Sequence, residues 1–377
     1  VLRVERGTIC LTNPRQSIRI AWLSAAKAAR LRYVDDGADM TPRPLPRPDV
    51  IVFDADGTLI DVTHSYRETA PTAAGIYLRL LGLNPPPLTG DLYDTFKRMT
   101  GFNDDWDLTA GLLLALVAGL PPARPLSAGT WATQDALLAA LRAACAPLAG
   151  ATPPLPDWEA LVAAVRAAGG GLSGLTAVLP MHNAHLVWRT GDAATTDLVQ
   201  RIFSEVYLGA DLFAEGYGYS VRFWPAPGLI ETERLLISRE TLAGLGRYAR
   251  LGIATGRTRF EMAHPLRHMA LAGFFGAIAT MTDALEAPGG ASWLKPHPFL
   301  LQRAADALDP TGALLAAYVG DAPDDIMAAR RAAAAGGRHW LAIGIATTPA
   351  QAEHYRQLGA DHIIAHPDEL AELWHAP

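Results

Sequence analysis

Two aspartates two positions apart, Asp54 and Asp56, followed by Gly57 and Thr58, end an apolar stretch of the chain. The residues before them, Val50, Ile51, Val52 and Phe53, are apolar and mostly β-branched, which predicts a short buried strand that stops at the carboxylates. Gly57 permits a sharp turn that aims both side chains and nearby backbone N–H groups at one point, an arrangement suited to an anion held by a hard cation. A strand that merely ends in a polar turn is the bland alternative for an isolated pair of this kind. Three further polar groups follow in the chain: Thr255, Gly256 and Arg257 after an apolar run at 251–254, Lys295 before a helical stretch at 299–307, and Asp321 with Asp324 and Asp325 after an apolar run at 316–319. Ligands of open parallel sheets sit at the carboxyl ends of strands, and three of these four groups fall at such ends.

Taken together, D-x-D-G-T at 54–58, T-G-R at 255–257, K-P at 295–296 and G-D-x-x-x-D at 320–325 resemble, in order, the motifs of the haloacid dehalogenase-like hydrolases. The first and fourth are the specific ones; a threonine or a lysine alone is uninformative. The resemblance implies that Asp54 is a nucleophile forming an aspartyl-phosphate and that Asp56 is the acid and base. It further implies that Asp54, the backbone carbonyl of Asp56 and Asp321 hold Mg²⁺, with Asp325 rather than Asp324 completing the acidic shell. Lys295 then supplies cationic compensation, and Thr255 with the N–H groups around Gly57, Thr58 and Gly256 receives the phosphoryl oxygens. Arg257 is near enough in sequence to meet substrate, although a solvated arginine at a helix start reads equally well. An aspartate two residues after the nucleophile favours phosphoryl transfer over carbon–halogen cleavage, as in phosphoglycolate phosphatase-like enzymes. A sugar phosphomutase shares this site, and a binding protein on a retained scaffold is the reading from outside enzymology.

Stepping from these residues to their supports, strands alternating with helices from about 235 to the end predict right-handed crossovers and a parallel sheet covered on both faces. The expected fold class is α/β, a Rossmann-like parallel core carrying an inserted, enlarged α-helical cap. Residues 49–62 with 226–377 make the core, 63–225 the cap, and 1–48 an N-terminal extension with a proline-rich linker at 41–48. Within the insertion, helical spacing at 65–83 and 192–208, a polar–apolar stretch at 90–100 and an Ala- and Leu-rich stretch at 108–168 are punctuated by prolines. Asp192 or Thr195 is the expected cap of the last of these helices, and a helix over 235–248 capped by Ser238 is expected to reopen the core. Asn103 and Asp104, in a loop with Trp106, are candidates for gripping a polar organic group such as an amine; a capped helix start with Trp106 packed inside is the alternative.

Bulk properties narrow the partners. With 377 residues, 50% hydrophobic and 19% charged, the chain has material for two or three globular domains. A net charge of -6 offers no basic field for nucleic acid or an anionic membrane surface. The longest apolar run, at 108–120, is too short to span a bilayer. Cys10 and Cys145 stand in no metal or redox spacing, so a reduced, cytoplasmic setting is expected and export is not; the family resemblance implies a small phosphorylated metabolite as partner. Oligomeric state carries no signal in the sequence.

Overall fold

The computed structural model describes residues 4–5, 8–9, 45–102, 104–126, 131–193 and 196–374. It divides into two units, Val1–Pro46 and Arg47–Pro377. In the first, Val4–Glu5 pairs antiparallel with Thr8–Ile9; residues 41–44 of the expected proline-rich linker lie outside the described residues.

The second unit is built on β1, Val50–Phe53, every residue of which is buried. It pairs in parallel with β2, Arg250–Ala254, on one side and β4, Ala316–Gly320, on the other. Beyond β2 lies β3, Ala277–Ala279; beyond β4 lie β5, Trp340–Ile345, and β6, His362–Ile364. The order is therefore β6-β5-β4-β1-β2-β3. A central parallel strand is covered on both faces, and this explains an unbroken apolar run where an alternating one would suit a half-exposed strand. Its two neighbours in the sheet are far from it in sequence, and the strand order reverses beside it. The carboxyl ends of β1, β2 and β4 thus meet at the crevice where such sheets bind ligands.

Helices occupy most of the insertion: α1, Tyr66–Leu80; α2, Asp91–Arg98; α3, Asp105–Ala118; α4, Gln134–Cys145; α5, Trp158–Ala167; α6, Gly171–Val178; and α7, Leu198–Tyr217. α1 packs on α3 and α7 and forms the centre of this cap. Helix α3 is apolar all round and buried from Leu108 to Ala118, the pattern of a core helix rather than a surface one. No single helix among the described residues is long and apolar enough to cross a membrane.

Two boundaries differ from the sequence expectation. Helix α7 is capped by Asp197, whose carboxylate accepts Gln200 N–H at 2.8 Å, rather than by Asp192; Thr195 lies outside the described residues. It also runs past 208, bending at Gly209, whose φ is 73°. Gly209 lies against Gly228, and a Cβ on Gly209 would fall 2.1 Å from the Gly228 nitrogen, so this bend depends on a chain crossing invisible to helical periodicity. The expected helix over 235–248 shrinks to α8, Arg239–Leu245, still capped by Ser238; α9, Arg259–His268, and α10, Met281–Leu285, follow it in the core. Arg234–Leu235 instead pairs antiparallel with Ile60–Asp61, a two-stranded ribbon that joins the chain leaving the core to the chain returning to it.

The return path is held by Glu205 on α7. Its Oε2 accepts the consecutive N–H groups of Arg222, Phe223 and Trp224 at 2.8, 2.5 and 3.1 Å, and its Oε1 pairs with Arg201. The side chain is fully buried, so Glu205→Ala strands a buried guanidinium and three donors. The expected result is a loss of about 3–5 kcal/mol in unfolding free energy, measured by denaturant titration, with faster amide exchange at 222–224.

Candidate active site

The turn after β1 is closed by Gly57 N–H donating to the Ile60 carbonyl at 2.9 Å, with Gly57 at φ 68°. A Cβ at Gly57 would lie 2.0 Å from Asp321 Oδ2, and one at Gly320 would lie 2.4 Å from the Asp325 carboxyl. Both glycines are needed because a carboxylate occupies the volume a side chain would fill. Asp321 follows β4 and Asp325 sits in the first turn of α12, Pro323–Ala335.

These elements bring Asp54, Asp321 and Asp325 together, each offering an oxygen within 4.8 Å of the others. Lys295, in the loop before α11, Phe299–Leu308, places Nζ 2.7 Å from Asp54 Oδ1 and 2.8 Å from Asp325 Oδ1. Asp325 also accepts from the Tyr318 hydroxyl at 3.2 Å and from Ala322 N–H at 3.0 Å. Asp324 is buried too, but it is Asp325 that joins Asp54 and Asp321.

Crowding of like charge away from water has an electrostatic consequence. Burial pushes the Asp54 carboxyl up to about 7; Lys295 pulls it down, and Asp325 and Asp56 push it further up. Asp321 is raised well above the usual carboxylate range by its withdrawal from water and then by Asp325 and Asp54. Burial opposes the charge on Lys295, yet Asp325 and Asp54 together hold its ammonium well above the ordinary lysine value. One ammonium does not balance three clustered carboxylates. An all-oxygen, acidic donor set whose atoms lie within 4.8 Å of one another fits a hard divalent cation.

The other expected residues fall into two groups. Thr255, fully buried, directly follows β2, and its hydroxyl accepts Arg257 N–H at 3.1 Å. Gly256 lines a cleft of about 30 Å³ shared with Tyr66, Asp104, Asp105, Trp106 and Phe203. Thr58 is buried in the turn after Asp56. Asp104 caps α3 by accepting Trp106 N–H at 2.8 Å, and the Arg189 guanidinium lies 5.7 Å from the Trp106 ring centre. Asn103 lies outside the described residues. Arg257 differs from the expectation of a substrate contact: it is 1% exposed, and its N–H groups are directed at Asp56 and Glu233.

Sequence reading passed over Tyr318 and Glu233. A lone tyrosine in the buried run Ala316–Gly320 was a usable signal, because a buried phenol needs a partner, and this one bonds Asp325 and, at 3.0 Å, the Ala254 carbonyl. Glu233 had no local signal; its partners, Ser65, Tyr207 and Arg257, come from three distant segments.

A family model for the haloacid dehalogenase-like hydrolases matches residues 48–333, which spans β1 through α12. The chain belongs to that family. Among solved structures, this hydrolase is similar to a structural-genomics target at 20% identity and TM-score 0.56, covering 86% of this chain and 98% of the other. That likeness concerns the fold. Weaker likenesses are to phosphatase Tt82 from Thermococcus thioreducens, at 23% identity, TM-score 0.46, and 77% and 90% coverage. A haloacid dehalogenase superfamily hydrolase of subfamily IA from Geobacter sulfurreducens matches at 16% identity, TM-score 0.42, and 89% and 100% coverage. No curated protein sequence matches the chain.

Proposed function

We propose that this hydrolase is a Mg²⁺-dependent phosphomonoesterase acting on a small phosphorylated metabolite. The observation that carries the reading is the meeting of Asp54, Asp321 and Asp325 around one point, with Lys295 beside two of them. Asp54, Asp321 and Asp325, with the backbone carbonyl of Asp56, would hold the cation, which when bound offsets the repulsion between these carboxylates and a phosphate dianion.

The chain's own residues account for the rest. A carboxylate oxygen of Asp54 attacks phosphorus as the bond to the ester oxygen breaks, and Asp56 gives that oxygen a proton. Water then attacks the acyl phosphate, yields its proton to Asp56 and releases phosphate, restoring both carboxyls. Lys295 holds Asp54 in place through its 2.7 Å contact and adds positive charge beside the transferring group. The hydroxyls of Thr58 and Thr255 and the Gly256 N–H are the donors for the phosphoryl oxygens, whereas the Gly57 N–H expected there is taken by the Ile60 carbonyl. Organic parts of the substrate meet the cleft of Tyr66, Asp104, Asp105, Trp106 and Phe203, whose aromatic and acidic walls suit a polar leaving group that does not add negative charge.

Steady-state release of inorganic phosphate across a panel of phosphometabolites, with Mg²⁺ and with EDTA, tests the proposal. Turnover of at least one member that disappears in EDTA is expected. Equal rates in the two conditions overturn the metal assignment, and conversion to an isomeric sugar phosphate without phosphate release makes the protein a mutase.

A further inference from the structure

Glu233 stands where the chain returns from the cap, between the turn Leu229–Thr232 and the ribbon strand Arg234–Leu235. It is 2% exposed and accepts four donors. Its Oε1 takes the Ser65 hydroxyl at 2.9 Å, the Tyr207 hydroxyl at 3.0 Å and Arg257 Nη2 at 2.9 Å; its Oε2 takes Arg257 Nη1 at 3.0 Å. Ser65 lies on the outgoing crossing just before α1, and Tyr207 belongs to α7 of the cap. One carboxylate therefore joins both crossings and a cap helix to a side chain of the core.

The opposite edge of the same guanidinium grips Asp56. Nε and Nη2 reach Asp56 Oδ1 at 2.8 and 2.5 Å, and the guanidinium carbon sits 5.2 Å from the centre of the Tyr66 ring. A planar fork bonded along two edges and stacked on a ring has one orientation, so it sets the plane of the Asp56 carboxyl. An oxygen receiving two N–H donors is the poorer carrier of a proton, which assigns that duty to Oδ2.

We propose that Arg257 is a positioning residue for Asp56 and that Glu233 makes this position depend on the placement of the cap. The proposal rests on the phosphomonoesterase reading above. The adjoining cleft is walled by Tyr66, Asp105 and Phe203 of the cap and by Gly256, Thr258 and Met281 of the core, so a substrate seated in it bears on the placement of the cap. Displacing it moves Tyr207, Ser65 and Glu233 first; Arg257 follows Glu233, and the Asp56 carboxyl turns with it. Acid–base competence then coincides with a particular cap position, and an empty, open site is kept from activating water.

The test compares kcat/KM across aryl phosphates of graded leaving-group acidity and an alkyl phosphate, in Mg²⁺, for the full chain and for Arg257→Lys, Glu233→Gln and Tyr207→Phe. Because kcat/KM ends at the first irreversible step, it reads departure of the leaving group and not hydrolysis of the acyl phosphate. Mispositioning Asp56 harms substrates whose leaving oxygen needs a proton and spares p-nitrophenyl phosphate. For Arg257→Lys the expected loss is roughly 100-fold on the alkyl phosphate and under about fivefold on p-nitrophenyl phosphate. Glu233→Gln and Tyr207→Phe steepen the leaving-group dependence in the same direction by smaller factors.

Equal losses on all substrates overturn the positioning role, and a rise in KM alone reassigns Arg257 to substrate binding. A steep Arg257→Lys with wild-type slopes for the other two overturns the link to the cap. Should Arg257→Lys fail to fold by circular dichroism, the near-isosteric Glu233→Gln decides the matter by the same comparison. A wild type with no turnover on any phosphoester overturns the phosphomonoesterase reading and this proposal with it, whereas an active wild type with uniform losses overturns this proposal alone.

Discussion

Asp54→Asn is expected to lower kcat by a factor on the order of 10⁴–10⁶, the scale seen when a covalent nucleophile is removed from a site whose other parts remain. The amide is nearly isosteric but has no nucleophilic charge, so the first displacement has no attacking group. Stability is expected to hold or rise in the metal-free protein. The aspartate is 6% exposed, its carboxyl is pushed up to about 7, and a neutral side chain relieves its repulsion with Asp325 and Asp56. Lys295 keeps Asp325 as a partner at 2.8 Å, so no cation is stranded. Phosphate release in steady state, together with acid-quench detection of protein-bound phosphate, measures the effect: the wild type gives a burst of phosphoenzyme and the variant gives none. A variant retaining a tenth of the wild-type rate would show that another group attacks phosphorus.

Asp321→Asn is the second large effect, and it separates cation binding from nucleophilic attack. Asp321 fills the volume that a Cβ on Gly57 would need, and it shares the cluster with Asp54 and Asp325. An amide offers one neutral oxygen in place of an anionic pair, so Mg²⁺ affinity falls and kcat/KM drops by roughly 10²–10³ at fixed Mg²⁺. Thermal unfolding against Mg²⁺ concentration provides a readout independent of turnover. The wild type gains about 2.7 kcal/mol at a hundred times its dissociation constant, and the variant gains little over the same range. An identical rise in Tm for both proteins would place the cation elsewhere.

The contrast between these residues and Arg257 shows which inferences survive from one dimension to three. Asp54, Thr255 and Asp321 were readable because each closes an apolar run, and a run that stops at a polar residue locates a strand end without any knowledge of its neighbours. The meeting of Asp54, Asp321 and Asp325 then follows from parallel topology, since every strand of such a sheet presents its carboxyl end to the same side. Arg257 follows Thr255 and Gly256 in sequence, yet its part in the site comes from Glu233, Ser65 and Tyr207, none of which has a motif. Asp104 carried two readings, and the structure shows the helix cap.

Element boundaries divide in the same way. Helix α12 begins with Pro323, and α8 follows its Ser238 cap, because those signals act within one turn of chain. The bend at Gly209, the ribbon at Ile60–Asp61 and Arg234–Leu235, and the edge strand His362–Ile364 depend on a partner brought from elsewhere. Local composition determined the family motifs, the parallel core and the helical nature of the insertion, since hydrophobic period, turn residues and caps are properties of neighbouring positions. Tertiary structure alone decided which carboxylates share Lys295, what Arg257 holds and how the cap is tied to the acid at 56, because those contacts join residues as distant in sequence as Asp54 and Lys295, whose approach no local preference encodes.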